Sequence, residues 1–260
     1  MILLIDAGNT RIKWAALNAS DAAPAPLGHW QTSGSAPHDQ IAALEDAWRS
    51  LRPTRAIVAN VAGPAVAAAL QQAVERGGGV PPADITWFAS QEQAGGVRNG
   101  YRQARQLGCD RFASAIGAHA LFPDTALIVA TCGTATTIDA ITADGVFTGG
   151  MILPGLRLMA NSLARNTAQL PEVIQQSEQL PPFADNTEEA IIAGCIAAQA
   201  GAIERSVAAY ARLHADELVR LLVSGGAAAA LLPHLAIAAT HVDNLVLIGL
   251  QKFAGLDQHR

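Results

Sequence analysis

Short apolar runs bounded by glycine- and asparagine-bearing turns alternate along this chain with stretches of helical period. Residues 2–5 are continuously apolar, 6–10 are turn-forming and 12–17 resume an apolar stretch, so the chain opens as strand, turn, strand. Residues 19–40 are rich in Ala, Pro, Ser and Gly and read as loop, with one edge strand at 28–32. Ile41, Leu44, Ala47, Trp48 and Leu51 fall on one face of a helix over 39–51. A buried strand follows at 55–61. An alanine-rich helix then runs to Glu75, Gly77-Gly78-Gly79 ends it, and 84–89 supplies another strand. A second cycle has a helix over 110–121, a strand at 126–130 and its partner at 136–142. A long helix covers 187–214, where Asn186 and Glu189 have the N-cap and N3 spacing of a capping box. Residues 221–223 form a short strand closed by Ser224-Gly225-Gly226. Strands alternating with helices predict an α/β architecture.

The pattern repeats at coarse scale. Ile5-Asp6-Ala7-Gly8-Asn9-Thr10 is echoed by Ala130-Thr131-Cys132-Gly133-Thr134-Ala135, each in a tight turn between two apolar strands. Two related halves, 1–118 and 119–260, would account for the echo.

Composition narrows the class. Half of the 260 residues are hydrophobic and 15% are charged, which excludes a disordered chain. A net charge of −5 leaves no counterion-release footprint for nucleic acid. Cys109, Cys132 and Cys195 are odd in number and lack the spacing of a zinc or redox pair, which favours a reducing compartment. The N-terminus has no basic segment and only a short apolar run, and polar residues or glycines interrupt every stretch near the 18 or so residues of a membrane span. A cytoplasmic protein with no membrane and no nucleic-acid partner is expected.

The chemistry concentrates in the turns. In Asp6-Ala7-Gly8-Asn9-Thr10-Arg11-Ile12-Lys13 the glycine lets backbone N–H groups approach a polyphosphate, Asn9 and Thr10 can donate hydrogen bonds, and Lys13 adds positive charge. Asp6, at the end of a buried strand, suits Mg2+ held through water. The same octapeptide also suits a plain hairpin turn. Cys132-Gly133-Thr134-Ala135-Thr136-Thr137 again offers small residues and hydroxyls, and Ser224-Gly225-Gly226 is a third glycine turn, suited to pass beside an adenosine. Neither a Walker lysine motif nor a triple-glycine dinucleotide fingerprint occurs at these turns. The seven histidines show no metal-ligand spacing among themselves.

These turns resemble those of the actin, hexokinase and Hsp70 superfamily, and a wider set of segments is similar to the type III pantothenate kinases. The set comprises Asp6-Ala7-Gly8-Asn9-Thr10 with Lys13, Leu107-Gly108-Cys109-Asp110-Arg111, Gly133-Thr134-Ala135-Thr136-Thr137, Gly149-Gly150-Met151-Ile152-Leu153-Pro154-Gly155, Leu170-Pro171, and Asn186-Thr187 before a small-residue helix. The same resemblance extends to Bvg accessory factors. It implies two ribonuclease-H-like, actin/hexokinase-type halves around a nucleotide cleft. It also implies ATP-dependent phosphorylation of pantothenate to 4'-phosphopantothenate, the first step of coenzyme A biosynthesis. By position, the loop from Asp6 to Lys13 would bind the ATP phosphates, with Asp6 on Mg2+, and Thr134 would contact ATP. Gly108, Cys109, Asp110 and Arg111 would hold pantothenate, with Asp110 accepting the proton of its hydroxyl, and Tyr101 and Thr187 would complete the substrate site. The family works as a homodimer, and the small residues Gly194, Ala197, Ala198 and Gly201, on neighbouring helix positions, suit either core packing or a dimer contact.

Two positions depart from the family pattern. Ala104 stands where a proline is usual, and Thr131 replaces an aspartate that binds a monovalent cation, K+ or NH4+. The structural reading of Asp110-Arg111 as a solvated helix start, Cys109 as a small space-filler, another small-molecule kinase on the same fold, and a non-catalytic nucleotide-binding regulator are the competing readings.

Overall fold

The first apolar run forms strand β1 (Ile2–Ala7), which turns at 8–10 and returns antiparallel as β2 (Arg11–Leu17), placing Asp6 opposite Lys13. In this computed structural model residues 1–18, 25–167, 169–171, 181, 183–215 and 217–256 are described. The start of the expected 19–40 loop and His259 lie outside them. The edge strand β3 (Thr32–Pro37) begins where the expected strand at 28–32 ends. Gly28 takes φ +78° in a turn instead, and Gly34 lets β3 cross Trp14, since a Cβ there would stand 2.9 Å from the indole Nε1.

A single 3-10 turn at His38–Gln40 leads into helix α1 (Ile41–Leu51), which buries Ile41, Leu44 and Trp48. Trp48 meets Trp14 edge to face at 6.4 Å. Strand β4 (Arg55–Asn60) runs parallel to β1, and helix α2 (Pro64–Ala73) starts on a proline, whose missing N–H costs nothing at a first helical turn. The chain then widens into a π turn at Val74–Gly78, where a Cβ on Gly77 would stand 2.4 Å from Glu45 Cα of α1. Strand β5 (Ile85–Phe88) pairs parallel with β4. A short hairpin, β6 (Gln93–Ala94) and β7 (Val97–Asn99), precedes helix α3 (Cys109–Leu121).

The second cycle has strands β8 (Ala126–Cys132), β9 (Ala135–Ile141) and β10 (Val146–Pro154), then helices α4 (Leu156–Asn166) and α5 (Thr187–Leu213). Strand β11 (Val219–Ser224), helix α6 (Ala228–Leu231), strand β12 (Ala239–His241) and helix α7 (Leu245–Leu256) complete it.

Two compact units result: Met1–Asp124 with Gly145–Phe147 and Asn244–Arg260, and Thr125–Asp144 with Thr148–Asp243. Residue 118 lies inside α3, and the chain passes into the second unit after Asp124. In the first unit the sheet order is β3-β2-β1-β4-β5, and in the second β10-β9-β8-β11-β12. Pairing agrees as well: β1 with β2 and β8 with β9 are antiparallel, whereas β4 and β11 lie parallel to β1 and β8. The echo between the two turns therefore reflects a repeated supersecondary unit.

Leu3, Ile5, Ile12, Trp14, Trp48 and Leu70 anchor one core of the first unit. Helices α3 and α7 pack together on β4 in that unit. Two glycines bring their backbones into contact: a Cβ on Gly249 would stand 1.9 Å from the Ala113 carbonyl oxygen, and one on Gly117 2.5 Å from that of Leu245. In the second unit the core gathers Ile128, Ile138, Ile192, Ile196, Leu221 and Val223. Among the described residues α5 is the one helix long and apolar enough to cross a membrane by length and composition. Its Ile191, Ile192, Ile196 and Ile203 are buried in the second unit's core.

Candidate active site

The site grows from the end of β1. Asp6 and Lys13 are directly opposed across the β1–β2 pair, which puts both side chains on one face within reach of each other. Gly8 N donates to the Arg11 carbonyl at 3.2 Å and closes the turn, leaving Asn9, Thr10 and Arg11 exposed while Ala7 and Ile12 are buried. Arg11 is steered by a 2.9 Å hydrogen bond to Ser35 Oγ, and His38 Nε2 lies 2.8 Å from the Gly8 carbonyl oxygen. His38 carried no signal in the sequence, because its partner is a backbone oxygen thirty residues away.

Helix α3 brings the second carboxylate. Gly108 is its N-cap residue, and Asp110 stands in the first turn, where a negative charge is favoured. The Asp110 carboxylate folds back over Gly108: Oδ1 accepts from Arg111 N at 2.8 Å, and a Cβ on Gly108 would stand 2.7 Å from it. Cys109 Sγ donates to the Asn60 carbonyl at 3.5 Å and ties the start of α3 to the end of β4, the strand beside β1. Burial first and the Asp110 charge second push the Asp6 carboxyl up to about 7, against the opposing charge of Lys13. Burial also raises Asp110, against the Arg111 N–H and guanidinium. Cys109 is pushed up to about 11, chiefly by burial and then by Asp110. It stays a thiol near neutral pH, which agrees with a space-filling role and not with a nucleophile.

Arg111 is buried, with 7% exposure, so its charge needs fixed partners. Nη1 donates to Tyr101 Oη at 2.9 Å, and the guanidinium lies 5.7 and 5.6 Å from the ring centroids of Tyr101 and Phe147. Those two rings meet edge to face at 5.7 Å. The loop bearing Tyr101 is shaped by Asn99, whose Oδ1 accepts from Tyr101 N and whose Nδ2 donates to the Ala104 carbonyl, each at 3.0 Å. That bond stiffens the loop at the position where relatives are expected to have proline. An open cavity of about 430 Å³ borders Tyr101, with Glu92, Arg98, Asn99 and Arg102 in its lining. Phe147 and Asn99 had no sequence signal, since neither type announces a site.

The second unit holds the other turn. Gly133 N donates to the Ala135 carbonyl at 3.0 Å, and Gly155 N to that of Thr134 at 2.9 Å. A Cβ on Gly155 would stand 2.1 Å from the Gly133 carbonyl oxygen, and one on Gly225, at φ +94°, 2.4 Å from that of Cys132. The glycine motifs read separately in the sequence thus converge on one turn. Thr131 pairs opposite Thr137 on one side and Ser224 on the other, and Thr137 Oγ1 is buried without a hydrogen-bond partner among the described residues. Thr187 is exposed at the start of α5, where Asn186 Oδ1 accepts from Glu189 N at 3.0 Å. Asp6, Lys13, Tyr101, Gly108, Cys109, Asp110 and Arg111 therefore gather in the first unit, whereas Thr134 and Thr187 belong to the second. Among the described residues no group of three or more His, Cys, Asp or Glu could hold a metal by itself.

The repeated strand order is that of the actin, hexokinase and Hsp70 fold. A solved Baf family protein from Campylobacter jejuni, described as a transcriptional activator, aligns over 99% of this chain and 100% of its own, with TM-score 0.59 and 18% identity. A 2-dehydro-3-deoxygalactonokinase-type protein from Sinorhizobium meliloti aligns over 100% and 99%, with TM-score 0.54 and 12% identity. At such identities these two speak for the fold alone. The family model for type III pantothenate kinase matches residues 2–209. The type III pantothenate kinase of Herminiimonas arsenicoxydans is 55% identical over 254 residues, covering 98% of this chain and 97% of that protein. The chain belongs to the type III pantothenate kinase family.

The carboxylate at Asp6 carries a stability cost that can be measured without substrate. Its ordinary value is 3.8 and its folded value about 7. Between them the folded protein holds a proton the unfolded chain has lost, so stability falls as pH rises through that window. Asp6→Asn removes the cost. Thermal scans should show the variant melting several degrees higher than wild type at pH 8, on the order of 5 °C, with the gain shrinking toward zero near pH 4. Equal melting at pH 8 would show that the Asp6 charge bears no penalty.

Proposed function

We propose that this protein transfers the γ-phosphoryl group of ATP to the primary hydroxyl of pantothenate, giving 4'-phosphopantothenate, the first step of coenzyme A biosynthesis. The observation that carries this reading is the chain Asp110, Arg111, Tyr101 at the start of α3, joined through the end of β4 to Asp6 and Lys13. Phosphoryl transfer through a loose transition state asks the protein mainly to position reactants and offset charge. Asp110 orients the hydroxyl and accepts its proton late, and its raised pKa makes it a stronger base than an exposed aspartate. Arg111, fixed against the Tyr101 and Phe147 rings, presents positive charge to the anionic substrate or the transferring group. A regulator that binds nucleotide without turnover would have no use for a proton acceptor at Asp110.

Lys13 and the N–H groups of the 6–13 turn receive the ATP phosphates, and Thr134 adds a contact from the second turn. Thr187 completes the pantothenate site. The residues fit Mg2+: burial and the Asp110 charge raise the cost of ionising Asp6, and a divalent ion would relieve that cost while binding few carboxylates directly. Bound Mg2+ supplies charge neutralisation on the phosphates. A cytoplasmic setting agrees with three free thiols.

A homodimer is part of the proposal. Gly194, Ala197, Ala198 and Gly201 are all exposed on α5, and among the described residues nothing beyond the local helix backbone lies within 4 Å of where a Cβ on either glycine would stand. Glycine inside a helix costs about 1 kcal/mol relative to alanine, and this chain's own packing does not call for it. Exposed Met151, Ile152, Leu158 and Leu163 of β10 and α4 add apolar surface in the same unit. Light scattering should give about twice 26.9 kDa, and a monomer with full activity would contradict the assignment.

Asp110→Asn should lower kcat by about 10² or more while ATP binding persists, measured by steady-state ADP release and nucleotide titration. Near-normal turnover in a folded variant would remove Asp110 from catalysis.

At the expected monovalent-cation position the structure offers the neutral hydroxyls of Thr131, Thr137 and Ser224. A hydroxyl supplies an oxygen but no charge to offset stripping water from the ion, so the residues at this position do not fit a bound K+ or NH4+. Replacing K+ with an inert organic cation at constant ionic strength should leave kcat/KM nearly unchanged. A fall of more than about tenfold, restored by millimolar K+, would show that other oxygens rebuild the site.

A further inference from the structure

Helix α5 buries an almost wholly hydrocarbon face in the second unit, and Gln199 interrupts it. Gln199 is 1% exposed, and both ends of its amide are used. Oε1 accepts from Thr136 Oγ1 at 2.7 Å, and Nε2 donates to the Pro154 carbonyl at 2.7 Å, with Met159 Sδ at 3.6 Å. The orientation is forced, because a carbonyl oxygen can only accept and so must face the NH2 group.

The two partners lie on either side of one turn. Thr136 is on β9 immediately beyond the Gly133-Thr134 turn, opposite Cys132. Pro154 precedes Gly155, whose N–H donates to the Thr134 carbonyl at 2.9 Å and whose α-carbon leaves no room for a side chain against Gly133. A single buried amide thus holds the returning strand and the backing segment at a fixed separation, with the Gly133-Thr134 peptide between them.

We propose that Gln199 is a positioning residue for the nucleotide: by clamping Thr136 and Pro154 together it sets the direction of the groups on the Gly133-Thr134 turn that meet the ATP phosphates. An apolar side chain of similar volume would fill the space, but it would leave the buried Thr136 hydroxyl only Cys132 Sγ as a partner and cut the tie to the Pro154 carbonyl. The turn would then relax, and groups that must sit within tenths of an ångström of phosphate oxygens would lose their aim. The inference rests on the reading of this turn as an ATP contact.

The test compares Gln199→Leu, Thr136→Val, the double variant, and Thr136→Ser, which keeps the hydroxyl, with Thr134→Ala as the report on the turn itself. KM for ATP, KM for pantothenate, kcat and melting temperature are measured for each. Gln199→Leu and Thr136→Val should each raise KM for ATP by about tenfold and leave KM for pantothenate within about twofold. The double variant should be no worse than the more affected single one, because both break the same bond. Thr136→Ser should keep the wild-type KM for ATP. If Thr134→Ala raises KM for ATP while Gln199→Leu and Thr136→Val do not, the positioning role is wrong and the turn assignment stands. If Thr134→Ala itself leaves KM for ATP unchanged, the turn assignment fails, and the positioning role with it. Equal damage to both KM values and kcat alongside a lowered melting temperature would make Gln199 a general packing residue and overturn the proposal. Should Gln199→Leu not fold, the Thr136→Val and Thr136→Ser pair decides alone.

Discussion

Burying a carboxylate is unfavourable unless charge or hydrogen bonds come with it, and Asp6 and Asp110 face that cost together. Asp110 adds to the demand of Asp6 for a counter-charge, and what the first unit provides is partial: Lys13 across the hairpin for Asp6, and the N–H and guanidinium of Arg111 for Asp110. The rest of the unit can be understood as the apparatus that keeps the pair in place. Cys109 pins α3 to β4, and β4 lies beside β1 in parallel register. Helix α7 presses on α3 through two glycines that admit no side chain. Strain of this kind is expected where a binding site holds charge ready for a cationic or anionic ligand.

The duplicated sheet explains where the chemistry lies. In both units a hairpin turn follows the first strand of the repeat, at Gly8 and at Gly133, and a further turn follows the parallel neighbour, after β4 and after β11. The copies have diverged in use. The first hairpin turn carries charge at Asp6 and Lys13, and the second carries only hydroxyls and small side chains, backed by Gly155 and Gly225. Charge has gathered at the turn of one unit, while the turn of the other is built for close backbone approach.

Much of this was legible in the sequence because the signals were local. The β1–β2 and β8–β9 hairpins, α1, and α5 with its Asn186 cap follow from apolar runs, period and capping chemistry. Strand β10 was not, since Gly149, Gly150 and Pro154 break its pattern and most of its residues face outward. Helix α7 was missed because its opening Leu-Val-Leu-Ile-Gly-Leu run is apolar all round and shows no helical period. The site divides the same way. Asp6, Lys13, Asp110 and Arg111 declare themselves by charge in short motifs. His38, Asn99, Phe147 and Gln199 act through neutral groups on partners that only the fold brings near, so no spacing along the chain points to them.

Phosphoryl transfer to pantothenate is the use proposed for these carboxylates. The most direct measurement is ADP release by the purified protein with Mg2+ and ATP, with pantothenate present and absent, and with the product identified by mass. ADP formation should depend on pantothenate and match 4'-phosphopantothenate mole for mole. ADP release at the same rate without pantothenate, or none with it, would contradict the claim.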